Sequence, residues 1–242
     1  MDTVEVTIVI IVVHPDFSSG SCQTLLTMLT YITADVRKGE SVRTKQRREL
    51  RSSIRRSFIL DKAEALFWEK GYNSTSMNDI AAACDCKAAN IYNFFTGKEA
   101  MLYEVIRDIT RELIELLTPL ENDETTNPVE LLKKMIKTHF SFHSSMKKSM
   151  ITVTDTGLKD LTAEHRKEII ELRRRYNRIL QKILHRGVQS GELAAVDERL
   201  VGNFIASIII RSNVWFSDKG RLSVDEMGDA IFEFVYRGIK SH

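Results

Sequence analysis

Cysteine is scarce in this chain: Cys22, Cys84 and Cys86 are its only three. An odd, sparse count gives no disulfide framework and fits a reducing, cytoplasmic setting. Cys84-x-Cys86 has no second pair of ligands nearby, which argues against a zinc site. Both thiols read instead as small apolar residues around a turn. Proline and glycine are also few, 3 and 11 in 242 residues, and so few breakers favour helices. Long apolar runs are missing. The nearest, Val4 to Val13, spans about ten residues where a membrane helix needs roughly 20. The chain opens Met1-Asp2 rather than with a basic n-region, so it reads poorly as a signal peptide, and no membrane partner is expected. Gly-rich phosphate loops, nucleophile elbows and convincing metal clusters are absent. Neither catalytic residues nor a metal or cofactor is therefore expected.

What is present has ordinary globular composition, 43% hydrophobic and 28% charged, and is long enough for a substantial core. Net charge is only +2, so the chain as a whole is no polycation. The cations are instead concentrated. Arg43, Lys45, Arg47, Arg48, Arg51, Arg55 and Arg56 face a single acid, Glu49. In isolation such a run reads as a solvated arm. Directly ahead of a helix-turn-helix, phosphate contact is the better reading. Residues 1–42, β-branched at the start but without a partner strand, are expected to form an accessory or poorly ordered extension.

The helix-turn-helix is read from spacing and caps. A first helix from about Leu50 to Lys70 places Ile59, Ala63, Leu66 and Phe67 on one face, and Gly71 ends it. Ser76-x-x-Asp79 is a capping box that opens a second helix, with Ile80, Ala83 and Cys84 inward. Cys84-Asp85-Cys86-Lys87 is the turn, and Asp tolerates the left-handed backbone a turn can require. A third helix from about Ala88 to Phe95 is anchored by Ile91 and Phe95. Its other face offers Lys87, Ala89 and Asn90 to base edges, and Tyr92 and Asn93 to phosphates. Thr96-x-x-Glu99 is a second capping box. Lys98 opposes the dipole of the helix it opens, which a nearby phosphate would explain. Arg55, Thr75 and Ser76 complete the expected DNA-facing set.

These residues carry a resemblance. The pattern Ile59-Leu60, Ala63, Leu66-Phe67, Gly71-Tyr72, Thr75-Ser76-Met77, Asp79-Ile80-Ala81, Ile91-Tyr92, Phe95 and Lys98-Glu99 resembles the DNA-binding domain of the TetR family of bacterial transcriptional regulators. The chain departs from the family at Asp85, where Gly is usual, and at Asn93, which replaces a frequent His. The resemblance implies an N-terminal tri-helical DNA-binding domain (residues 43–97) and a C-terminal helical effector-binding and dimerisation domain (98–242). The fold class is all-α, with about nine helices.

In the C-terminal part, apolar stripes predict helices from Lys98 to Leu117, from Pro128 to about Ser145, from Lys148 to Thr156, and from Ala163 to Gln189. Two more follow at Val196–Phe216 and Ser223–Ile239. Phe204 to Ile210 is apolar nearly all round and needs a cover on both sides, which a partner subunit can supply. Phe204, Ile208, Phe232 and Tyr236 are the expected dimer contacts. The resemblance implies the same pairing, as a four-helix bundle of the last two helices of each protomer. His139, Phe142, His143, Met146, Tyr176, Arg178 and Trp215 are the candidate effector-lining residues, although each alone also reads as core. His139 and His143 are also spaced for a metal, without an obvious third ligand. Gly187…Gly191-Glu-Leu, Leu200-Val201…Phe204, Trp215-Phe216 and Gly238 resemble TetR-type regulators of fatty-acid and steroid degradation, which often sense acyl-CoA thioesters. Arg173, Arg174, Arg175 and Arg178 then read either as a CoA-phosphate site or as a solvated helix face.

The expected function is a ligand-responsive repressor that binds a palindromic double-stranded operator as a homodimer. Its effector is expected to be a small amphipathic molecule such as an acyl-CoA. The alternatives are an activator of the same family and a helical enzyme acting on a small apolar substrate.

Overall fold

A computed structural model of the chain describes residues 40–145 and 158–241. The expected N-terminal extension, Met146 and the helix placed at Lys148–Thr156 lie outside the described residues. The chain divides into two units, Met1–Arg51 and Ser52–His242. What is described of the first is the leading part of one helix, with Arg47, Arg48 and Arg51 exposed.

Among the described residues there are eight helices and no strand. They are α1 Glu40–Lys70, α2 Met77–Ala83, α3 Ala88–Ile91, α4 Lys98–Asn122, α5 Pro128–Ser145, α6 Ala163–Gln189, α7 Glu198–Trp215 and α8 Val224–Ile239. The architecture is all-α, as expected. Several boundaries differ from the sequence reading, each for a local reason. Helix α1 begins ten residues before the expected start at Leu50, because Glu, Arg, Lys and Gln there are good helix formers that leave no periodic signal. Helix α3 ends at Ile91 and gives way to a turn, with the amides of Phe94 and Phe95 both donating to the Ile91 carbonyl. Helix α4 runs through Pro119 to Asn122 instead of stopping at Leu117. Proline there deprives the Glu115 carbonyl of its intrahelical donor. The helix persists because Leu117 is fully buried and Leu120 packs against the same core.

The apolar residues form two clusters. One joins Ile59, Ala63 and Phe67 of α1 to Ile80, Ala81 and Cys84 of α2, Ile91 and Phe95 around α3, and Met101, Leu102 and Ile106 of α4. Ala81, not Ala83, is the inward alanine of α2; it lies one residue from Ile80 and three from Cys84, on the same face. Leu161 and Ile169, far downstream, also belong to this cluster. The second cluster is built by α4 to α8, with Leu131, Leu132, Ile136, Phe140, Ile179 and Leu180 fully buried in it.

Three positions have backbone or packing constraints of their own. Gly71 takes φ 84° and ends α1 in the left-handed conformation. Asp85, at φ 48°, makes the α2–α3 turn without a glycine. Gly187 lies inside α6 rather than at its end, and a Cβ on it would come within 2.5 Å of Leu193 Cδ1 and 2.8 Å of Leu193 Cγ. Gly187→Ala gains about 0.5–1 kcal/mol of helix propensity but incurs an overpacking cost of about 1–3 kcal/mol. The net effect should be a lower melting temperature, by roughly 2–4 °C per kcal/mol. In a Leu193→Ala background the same substitution should raise it; thermal melts of the four proteins check both signs.

Candidate functional site

The helix-turn-helix is held by polar contacts that the sequence reading assigned to DNA. Thr75 is 1% exposed, and its hydroxyl donates to the carbonyl of Gly71 at 2.8 Å. Lys98 Nζ donates to the carbonyls of Tyr72 and Thr75 at 2.7 and 2.8 Å and sits 4.2 Å from the Tyr72 ring centroid. These contacts tie the start of α4 to the loop that leads into α2. They account for a cation in the first turn of α4 without any phosphate, and they turn the Thr75 hydroxyl and two of the Lys98 donors towards the loop. Arg55 donates to the carbonyl of Cys84 at 3.2 Å and so closes the C-terminal end of α2. Its neighbour Arg56 pairs with Glu104 and lies 4.5 Å from the Phe95 ring centroid. Two cations of the basic leader are thus committed to internal contacts.

Ser76 is the N-cap of α2 and forms the expected capping box. The Asp79 amide donates to the Ser76 hydroxyl at 3.1 Å, and the Ser76 amide donates to the Asp79 carboxylate at 2.8 Å. Hydrogen bonds from Ser76 hold the Asp79 carboxyl below its usual pKa. The second expected box, at Thr96, does not form. Gly97 is the N-cap of α4, and the Glu99 carboxylate is engaged elsewhere. Lys87, Ala89, Asn90, Tyr92 and Asn93 remain, all at least partly exposed, with Tyr92 at 55%. A large aromatic residue left this exposed beside two asparagines and a lysine is a surface suited to a polar partner.

Glu99 belongs to a junction with α6 that sequence reasoning missed. Its carboxylate accepts from the Thr162 amide at 2.8 Å and lies 2.9 Å from His165 Nδ1. The His165 ring stacks on Tyr103 at 3.8 Å between centroids. The Tyr103 hydroxyl donates to Glu168, and Arg111 pairs with Glu168 at 3.0 Å. These partners are more than fifty residues apart and follow no period, so no local pattern points to them.

The effector-lining residues separate into two groups. His139, Phe142, His143 and Tyr176 come together inside the second core. The Tyr176 hydroxyl lies 2.8 Å from His139 Nδ1, the two imidazoles are 4.8 Å apart, and Phe142 meets His143 edge-on at 5.6 Å. Burial pushes the His139 imidazole well below its usual pKa, with His143 adding to the effect. It pushes His143 down to about 4 and the Tyr176 hydroxyl up. Trp215 and Arg178 do not join them. Trp215 is 66% exposed, and Arg178 is paired with Glu171 at 3.1 Å on the helix surface. Arg174 shares Glu171, and Arg175 is paired with Glu121, so three cations of the basic run already have acidic partners. Among the described residues no group of three His, Cys, Asp or Glu is placed to hold a metal.

Helices α7 and α8 present an uncovered apolar surface, with some but not all of the residues expected. Phe204 is 56% exposed and Ile208 half-buried, but Phe232 is 5% exposed and turns into the core, where it stacks on Tyr236 at 5.4 Å. Phe234, two residues on and 72% exposed, takes the outer position together with Leu200. The buried positions of α8 are 227, 228, 231, 232, 235 and 239, a helical stripe that includes Phe232 and omits Phe234.

Comparison with known proteins agrees with this architecture. Residues 59–105 match the family described as bacterial regulatory proteins, tetR family, and residues 125–239 match the tetracyclin repressor-like C-terminal domain. The crystal structure of PfmR, a TetR family transcriptional regulator from Thermus thermophilus, is 30% identical, with a TM-score of 0.67 over 74% of this chain and 97% of that one. The chain belongs to the TetR family. Among its relatives, the HTH-type transcriptional repressor KstR2 of Mycobacterium tuberculosis (strain ATCC 25618 / H37Rv) is 27% identical over 76% of this chain and 92% of that protein. The structure of AibR in complex with isovaleryl coenzyme A and operator DNA is 25% identical, with a TM-score of 0.69 over 75% of this chain and 98% of that one. The TetR-family match begins at Ile59, so the exposed leader cations at Arg47, Arg48 and Arg51 precede the family's own domain. No helix among the described residues is long and apolar enough to cross a membrane.

Two measurements test these placements. Thr75→Val removes a buried donor and leaves its carbonyl partners short, a loss of about 1–3 kcal/mol. A thermal melt should show the drop; an unchanged melt with weakened DNA binding would put Thr75 on the DNA face. The buried imidazoles also make stability pH-dependent. The folded state holds His143 neutral to about pH 4, while the unfolded chain binds its proton near pH 6.5, so stability should fall as pH drops from 6.5 towards 4. Melts across that window should be flatter for His143→Leu.

Proposed function

We propose that the chain is a ligand-responsive transcriptional repressor acting in the cytoplasm, which binds a palindromic DNA operator as a homodimer and is released by an acyl-CoA or similar amphipathic effector. The observation that carries the reading is the outward set Lys87, Ala89, Asn90, Tyr92 and Asn93 on a helix-turn-helix in which Thr75 and Lys98 bind loop carbonyls instead. Lys87, Ala89 and Asn90 lie at or near the N-terminus of α3 and suit base edges. Tyr92 and Asn93 suit phosphates. The leader at Arg47, Arg48 and Arg51 adds sequence-independent attraction.

Phe204, Leu200 and Phe234 supply an apolar surface for a two-fold partner, which would set two such faces on one side of the duplex, about 34–36 Å apart or somewhat more. The repressor KstR2 and the AibR complex with isovaleryl coenzyme A and operator DNA support repression and a CoA-linked effector. Residues 43–97 would then be the DNA-binding part, residues 98–242 the effector and dimer part, and residues 1–42 an accessory segment.

Tyr92→Ala should weaken operator binding about tenfold, or about 1.4 kcal/mol, without altering the dimer. Gel-shift titration beside sedimentation analysis measures both, and unchanged affinity would remove Tyr92 from the interface. Deleting the gene should raise reporter output from the operator; lower output would reassign the protein as an activator.

A further inference from the structure

The buried pair of histidines has chemistry that packing alone leaves unused. Two of their ring nitrogens, His139 Nε2 and His143 Nδ1, are shut off from solvent and have no hydrogen-bond partner among the described residues. Both residues are at least nine-tenths buried, at 2% and 5% exposure. An unpaired buried polar atom costs about 1–3 kcal/mol, and here two lie on adjacent rings 4.8 Å apart.

Their protonation follows from the contact with Tyr176. That phenol is buried and keeps its single proton. Its partner is His139 Nδ1, at 2.8 Å. If Nδ1 carried a proton, the phenol would have to accept, and its own hydrogen would be stranded in the core. The arrangement that leaves the hydroxyl satisfied has Tyr176 donating to Nδ1. A neutral His139 then carries its proton on Nε2, so the unpartnered nitrogen is a donor awaiting an acceptor.

The acceptor it suits is uncharged. Burial, and for His139 the neighbouring imidazole, account for the shifts of all three groups, and no lysine, arginine or carboxylate contributes to them. A carboxylate brought here would lose its hydration without a cation among the described residues shown to act on these groups. The surroundings are apolar: Phe142 lies against His143, and Tyr176 belongs to the same core cluster as Met135, Phe140 and Ile179.

We infer that His139, locked by Tyr176 and flanked by His143, is a hydrogen-bond donor for a neutral oxygen, a ketone or thioester carbonyl, on an otherwise apolar ligand seated in the C-terminal core. The inference deepens the effector reading and rests on it for the site, but not for the coenzyme. It predicts selection by the carbonyl rather than by chain length alone.

The experiment uses the full-length protein and two matched pairs of probes. Dodecanoyl-CoA is compared with S-dodecyl-CoA, its thioether analogue without the carbonyl. 2-Decanone is compared with 2-methyl-1-decene, in which a methylene replaces the oxygen. Titration calorimetry should show the oxygen-bearing member of a pair binding at least about tenfold more tightly. The ratio should fall to about one in His139→Phe and survive in His139→Gln, which keeps a donor. Nitrogen NMR of histidine-labelled wild-type protein gives a readout that needs no variant. It should show His139 protonated at Nε2, with that signal moving only when the oxygen-bearing probe binds.

If both CoA probes fail and the ketone is still preferred over the alkene, the CoA reading falls and the inference stands. If thioester and thioether bind equally, the inference falls and the CoA reading stands. If nothing binds, or the preference is indifferent to His139→Phe, the inference falls and the two nitrogens serve only an ordered water.

Discussion

The ammonium of Lys98, bound between the carbonyls of Tyr72 and Thr75, is the contact on which the DNA-proximal end of the molecule depends. It lies where three elements meet: the end of α1, the N-cap of α2 and the first turn of α4. A loop carbonyl needs a donor, and an ammonium carries three. Thr75 closes the same loop from the other side through Gly71, whose left-handed backbone turns the chain away from α1. Arg55 completes the framing at the opposite end of α2. With those residues committed inward, the face left to a partner is narrow and is carried by the turn and α3.

This division explains what the sequence could and could not reveal. Apolar spacing and capping chemistry are local, so α2, α6 and the inward anchors Ile80, Ile91 and Phe95 were legible from the chain alone. The Ser76 capping box was legible for the same reason. The loop contacts of Lys98 and Thr75 were not legible, because a cation or hydroxyl near a helix start has two possible consumers, a phosphate outside or a loop carbonyl inside. Only the path of the backbone decides between them. Phe232 and Phe234 show the same limit on α8. Both are large and apolar, two residues apart, and on a helix they point in different directions. The choice between inside and outside depends on what α5 and α7 offer, which no window of local sequence contains.

The C-terminal core carries a different constraint. Its helices bury two imidazoles and a phenol among aliphatic side chains, with one internal hydrogen bond shared among them. An all-apolar core of the same volume would avoid unsatisfied nitrogens altogether. The DNA-proximal end buries polar groups too, but there the Thr75 hydroxyl is bound to a loop carbonyl and Glu104 is paired with Arg56 through one of its two oxygens.

Helix α6 touches both regions. His165 and Ile169 meet the DNA-proximal cluster, and Tyr176 meets the histidines. The eleven residues from His165 to Tyr176 span about 16 Å of helix. A helix of that length is stiff along its axis, so a displacement of one end is a displacement of the other. The two contacts are therefore set in register by one rod: whatever fixes His165 along the helix axis also fixes how far Tyr176 reaches towards the histidines.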